Sequence, residues 1–474
     1  MKRFRKHLFV LIALAALPVV GVMHRAINTD RARLSLTHTA PLENAPPALA
    51  FTTVALGGFR GLIANGLWAR AIRLQDEGNY FEMVSLSDWI TKLQPDNSMV
   101  WAMQAWNMTY NISVQFENHA DRWLWVRSGI ELLRDQGMRY NPHSVELYRE
   151  LAWFYQDKIG SNTDYGHRVF KEAWAAEMMR VLGRPPRLDD LINPQTDDAR
   201  QRAEILRERY KLEPAILKQV DDHYGPFDWR SPDAHAIYWA VLGAQECHNA
   251  ADLLPLRRVI WQSMQRSFLR GRVSENLVDR KIEFGPNLDI IPNTYRTYEE
   301  MKTHEPENRD YITRGQRIFV ADAIYFLYAN SRPTEAAHWF GIARTNFPDL
   351  VRPGVGLDEF VVEHVTAQVD TGNLNRIVAV VEGLLGQHYY NLALGDEDRA
   401  NGYALLARRV WDRYQARHRD ALNQLGLPTL EKMQRRVREQ AQEGRHGFSP
   451  ALMAQLRAVT KTGSETNAPP TSQP

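Results

Sequence analysis

The densest group of chemically versatile side chains in the sequence runs HYGPFDWRSPDAHAIYWA, from His223 to Ala240, with two histidines, two aspartates, two tryptophans and two prolines in eighteen residues. His223, Asp228 and His235 are residue types that bind a transition metal or act as general base and orienting acid, and Arg230 is an anion contact. The spacing argues against both chemistries: the histidines stand twelve residues apart across a turn, which fits no common ligand spacing. The composition also has an explanation without chemistry. Gly225-Pro226 is a turn. Ser231-Pro232-Asp233 is a helix start, with a hydroxyl to cap, a proline at the first helical position and an acid in the first turn. Ala236, Ile237, Ala240 and Val241 then form an apolar face beside Trp239. The stretch is expected to be a loop handing the chain to a buried helix, with no catalytic residue, metal or cofactor. The alternative is an envelope enzyme or small-ligand binder that uses His223, Asp228, Arg230 and His235.

Other chemical patterns are sparse. Cys247 is the only cysteine, so no intrachain disulfide and no cysteine-built zinc or iron–sulfur site can form; mid-helix, it is expected to be a small buried residue. GGFRGLIANG at 57–66 is not a phosphate loop, because no Gly-Lys-Ser/Thr follows and no strand precedes it; its glycines are expected to permit close helix packing. No metalloprotease, serine-hydrolase or dinucleotide fingerprint occurs.

The elements around these residues read as follows. Hydrophobic residues make up 44% of the 474 and charged residues 24%, so most of the chain should fold. The net charge of +2, from 58 basic and 56 acidic residues, gives no sign of a nucleic-acid partner. Residues 408–446 are locally basic, ten Lys/Arg against five Asp/Glu, and are expected to be solvated helix surface. At the N-terminus, Lys2, Arg3, Arg5 and Lys6 precede an unbroken apolar run from Leu8 to Met23, the pattern of an export signal. Residues 1–23 are therefore a signal-anchor or a signal peptide. Sixteen helical residues reach about 24 Å, short of a hydrocarbon core of about 30 Å, which favours cleavage. The poor small-x-small pattern, best at Val19-x-Gly21, favours retention, with residues 7–23 in the membrane. Either way the body is expected outside the cytoplasm: for a bacterial-looking chain, in the periplasm, anchored in the inner membrane or released by cleavage. Residues 24–50, dotted with Pro41, Pro46 and Pro47, read as a linker.

From about residue 51 the helix period dominates. The exception is 272–306, where Val, Ile and Tyr between Gly-Pro and Pro-Asn breaks predict a short hairpin or ordered loop over 272–300. Residues 461–474 lack periodic apolar residues and are expected to be a disordered tail. An internal repeat also emerges. A helix running from Gly78-Asn79-Tyr80 ends at Pro95; six residues on stands Trp101, and four further Ala105. From Pro142 the same steps reach Tyr148 and Ala152, and Trp106 and Trp153 both lie eleven past their proline. The proline ends one helix, an aromatic opens the next, and a small residue one turn later lets the paired helix approach.

These spacings resemble the tetratricopeptide repeat. Gly78 to Pro95, with Tyr80 opening the helix, fits its second helix, Trp101 and Ala105 the start of the next unit, and Tyr148, Leu151, Ala152 and Tyr155 the signature places of its first helix. Ala336, Phe340, Ala343 and Pro348 fit a second helix further on. The 47 residues from Pro95 to Pro142 exceed the family period of about 34, and Met83 and Ile90 stand where the family prefers alanine. The resemblance covers about 51–182 and 307–395. It implies an all-α solenoid of antiparallel helix pairs, over 51–271 and 307–460, with a concave face for another protein or peptide and no catalysis.

Overall fold

The computed structural model describes residues 60–183, 186–247, 250–276, 278, 280–366, 374–417, 428–445 and 447–465, together with Met23, Ala26, Ile27, Thr29 and Asp30. The apolar run as far as residue 22, most of the linker and residues 466–474 lie outside the described residues. Among the described residues no helix is long and apolar enough to cross a membrane.

The described residues are all-α with one small antiparallel strand pair. Helix α1 (Arg60–Asp76) pairs with α2 (Tyr80–Leu93), whose start is capped by Asn79 accepting from the Glu82 amide. Next come α3 (Ser98–Trp106), α4 (His119–Glu131) and α5 (Val145–Trp153). Asn97 and Asn118 cap the first two of these, supplying acceptors for amides that have no partner inside the helix. Each of the three widens into a π-helical turn at its C-terminal end, over Asn107–Ile112, Leu132–Gly137 and Phe154–Ile159. Then follow α6 (His167–Leu182), the short α7 (Leu188–Ile192), α8 (Asp197–Tyr210), α9 (Pro214–Tyr224), α10 (Pro232–Gln245) and α11 (Ala250–Arg270). Strand β1 (Arg272–Glu275) pairs with β2 (Ile282–Gly285), Arg272 opposite Gly285. The remainder is α12 (Ile291–His304), α13 (Arg309–Ala329), α14 (Pro333–Asn346), α15 (Leu357–Thr366), α16 (Leu374–Leu394), α17 (Glu397–Arg417), α18 (Leu430–Gln442) and α19 (Pro450–Glu465).

Helix α10 lies at the centre of the first half, against α5 and α11. Its residues from Pro232 to Ala240 are all buried, Asp233 and His235 among them. Close approach to α5 requires Gly243, where a Cβ would fall 2.6 Å from the Tyr148 Cβ. One continuous core runs from Trp101 to Leu456, and a small second cluster of Ala71, Leu74, Met83, Ile90 and Val100 closes the N-terminal helices.

Four expectations need correction. The non-helical insert ends earlier than residue 306, because a 3-10 turn at Leu288–Ile290 leads directly into α12. Pro292 sits in the first turn, where no amide is needed, and Ile291, Thr294, Tyr298 and Met301 bury one face. The tail does not begin at 461: α19 continues to Glu465, since Leu452 and Leu456 anchor the helix in the core and propagation adds a hydrogen bond per residue. Cys247 lies two residues past the end of α10, half-buried, rather than in mid-helix. Gly66 permits no close packing, since a Cβ there would meet open space.

Candidate functional site

The loop and helix from His223 to Ala240 separate the candidate residues instead of gathering them. His235 is fully buried, and its Nε2–H donates to the Trp229 carbonyl at 2.7 Å. Burial pushes its pKa down to about 4, because the charged imidazolium would lose its hydration; the Trp229 hydrogen bond opposes this more weakly. It packs edge-on against Trp174 and Trp229 and stacks on Tyr155. His223 is exposed, with Nε2 3.6 Å from Glu300. Asp228 takes a two-pronged pair from Arg230, at 2.8 and 2.7 Å, and accepts the Val273 amide at 2.9 Å. Arg230 also donates to the Val273 carbonyl, so this pair docks strand β1 onto the loop. Asp221 accepts from the Phe227 amide and the Trp229 indole, and the Asn287 amide group holds the Pro226 carbonyl. Among the described residues, no hydrogen bond or ion pair joins His223, Asp228 and His235 to one another, and no group of three or more His, Cys, Asp or Glu could hold a metal ion. A cleft of about 260 Å³ beside the loop is lined by Asp228 and Arg230 but by neither histidine.

A second arrangement is built from the 47-residue spacing. Trp101 and Tyr148, each six residues past its proline, make the same bond: the Trp101 indole N–H donates to the Pro95 carbonyl at 2.8 Å and the Tyr148 hydroxyl to the Pro142 carbonyl at 3.1 Å. Ala105 and Ala152 are both fully buried, as are Leu151 and Tyr155. Twelve residues past each proline the helix widens into its π turn. The Ser98 hydroxyl donates to Glu146 at 3.0 Å, joining the starts of α3 and α5. The downstream match is buried at Ala336, Phe340 and Ala343 on α14, whereas Pro348 is exposed and followed by no aromatic at the sixth place. Tyr80 is half-buried at the start of α2, where its carbonyl accepts from Asn107.

The two equivalent positions left outside this core are Trp106 and Trp153, 40% and 37% exposed. Trp106 lines a cleft of about 260 Å³ between α1, α2, α3 and α5, together with Gln75, Met83, Met99, Met103, Glu146 and Glu150; Trp153 lies outside its lining. Trp106 stacks on Tyr110 at 4.8 Å between ring centroids, and Trp153 lies beside the Tyr110 hydroxyl. That hydroxyl donates to Asp157 at 3.0 Å, and its pKa is raised chiefly by burial. The result is a cleft lined by three methionines and one indole, with the Glu146 and Glu150 carboxylates and three amide side chains beside them. Such a surface accepts apolar and basic side chains; it contains no base–nucleophile pair. The spacing of Trp106 and Trp153 was legible in the sequence. Their exposure was not, because a tryptophan at helical spacing is more often core. Met99, Glu146 and Glu150 carry no sequence signal; α3 and α5 must first lie side by side. No protein-family model matches the chain, and neither a curated protein nor a solved structure matches it.

Proposed function

We propose that the chain is a helical-repeat scaffold of tetratricopeptide type that holds a segment of another protein along the α3–α5 face. The observation behind this reading is the paired exposure of Trp106 and Trp153 at equivalent places of a repeat whose equivalent alanines, Ala105 and Ala152, are fully buried. Exposed indoles beside methionines favour protein contact, since both give large, adaptable apolar area. Glu146 and Glu150 at the rim select a segment that carries lysine or arginine among apolar residues. The basic n-region and apolar run from Leu8 to Met23 support a location in the cell envelope for this scaffold, held by an uncleaved anchor or released into the periplasm.

A photoreactive amino acid at Met99 or Glu150 in the full chain, expressed in its own cell, tests the docking face. The expected result is one discrete adduct from both positions, none from exposed Arg200 on α8, and loss of the adduct in Trp106→Ala/Trp153→Ala with melting unchanged. Equal labelling at Arg200, or adducts that survive the double variant, would sink the reading. For location, a reporter active only outside the cytoplasm, fused after Pro474, is expected to be active.

A further inference from the structure

One group of charges, two of them buried and two half-buried, has no part in that scaffold. Lys171 on α6, Asp233 in the first turn of α10, and Arg266 and Arg270 near the end of α11 all lie within electrostatic reach of one another. Asp233 is 1% exposed, yet its Oδ1 has no hydrogen-bond partner, and no ion pair joins it to any of the three cations among the described residues. Two hydroxyls nearby in the chain are also buried without a partner, Ser231 at the N-cap of α10 and Ser267 beside Arg266. Such orphans are rare in folded proteins, and each asks what it meets when the site is filled.

The cations are partly committed. All three Lys171 ammonium protons are taken, by the Ser161 carbonyl at 2.8 Å, Asn162 at 2.7 Å and His167 Nδ1 at 3.0 Å. Lys171 therefore contributes charge rather than a hydrogen bond. Arg270 donates to Asn162 at 3.0 Å and Arg266 to the Gln156 carbonyl, which leaves most of the five N–H donors of each guanidinium. Three cations face one carboxylate, and the α10 N-terminus adds its outward amides. Asn162, whose Oδ1 holds both Lys171 and Arg270, is exposed and brings the group to the surface. Gly160 forms a wall: a Cβ there would stand 3.2 Å from Asp233 Oδ1.

We infer that this group is a binding site for a small oxyanion that carries its own O–H, with hydrogen phosphate the simplest member of the class. Arg266 and Arg270 donate to its oxygens, Lys171 supplies further positive charge, and the orphaned Asp233 carboxylate accepts the ligand's proton. Asp233 is thus a selectivity filter. Sulfate has the same shape and charge but no proton near neutral pH, so it would set oxygen against oxygen.

The test uses the full chain purified in detergent, titrated calorimetrically with inorganic phosphate and with sulfate at about pH 8 and constant ionic strength. Phosphate is expected to bind saturably, and sulfate about tenfold more weakly or worse, the cost of one unmade charged hydrogen bond. Arg270→Gln should weaken phosphate by about tenfold on the same grounds. Asp233→Asn, whose amide can donate, should erase the discrimination by admitting sulfate. No saturable heat with phosphate overturns the inference. So does equal binding of the two anions by the unaltered chain, which needs no variant to fold, or a preference that persists in Asp233→Asn.

Discussion

Two buried carboxylates stand at opposite ends of one short stretch of the structure, and they are treated differently. Asp164, in the turn before α6, is closed: Lys158 donates to it at 2.8 Å and Arg122 at 3.0 Å, and the Gly166 amide binds its other oxygen at 2.7 Å. These contacts outweigh burial and hold its pKa below the usual carboxylate range. Asp157 also acts on Lys158, so two carboxylates balance two cations. Asp233 is open. Burial dominates there and pushes its pKa up to about 6, although Arg270, Arg266 and Lys171 pull the other way without touching it. Desolvation costs the same kind of energy at both sites; only direct hydrogen bonds repay it. A closed cluster is a structural joint, here fastening the loop before α6 to α4 and the end of α5. An open one retains unsatisfied capacity.

The largest effect should come from breaking the closed cluster. Asp164→Asn leaves Lys158 and Arg122 buried without their counter-charge, a loss of about 3–5 kcal/mol. Urea or thermal melts should show it plainly, and a change below about 1 kcal/mol would mean that the joint is not closed in solution.

Asp233→Asn should do the reverse. Because the folded pKa is raised, Asp233 contributes most below the unfolded value near 3.8, and that contribution is lost as pH rises through about 6. In the absence of anion the variant should therefore be more stable than the unaltered chain at about pH 8, by about 1–3 kcal/mol, with the gap closing toward pH 4. Melts of the two proteins at both pH values check this, and the His235 contribution, common to both, cancels in the difference. A destabilised Asn variant at pH 8 would show Asp233 to be paired after all.

The smallest effect should come from His235→Gln. Its amide can repeat the donation to the Trp229 carbonyl, so the cost should be about 1 kcal/mol, mostly packing. With a folded pKa of about 4, His235 takes up its proton only on unfolding as the pH falls from about 6.5 to 4, and this destabilises the fold in acid. The variant should melt with less acid sensitivity in that window. Unchanged sensitivity would assign the effect to other groups.

Much of this architecture was written locally. Prolines at 95 and 142, the aromatics six residues on and the alanines ten residues on predict helix, turn and helix, because caps, proline stops and the 3.6 period act within a few residues. Ser231-Pro232-Asp233 likewise marks the start of α10. The π turns at the ends of α3, α4 and α5 have no such signature, and α12 was hidden among strand-forming residues whose apolar face shows only against its neighbours.

The sequence by itself determined that this chain is helical, where its helices turn, and which of its aromatics repeat. Only the tertiary structure decided which of them reach solvent: Trp101 and Trp106 are both apolar and five residues apart, and the difference is that α3 turns one toward the core and the other toward the groove. It also decided which charges share a low-dielectric interior. Lys171, Asp233 and Arg270 are separated by 62 and 37 residues, so no local pattern connects them. Their electrostatic coupling depends on distance through space and on exclusion of water, and both exist only once α6, α10 and α11 have packed together.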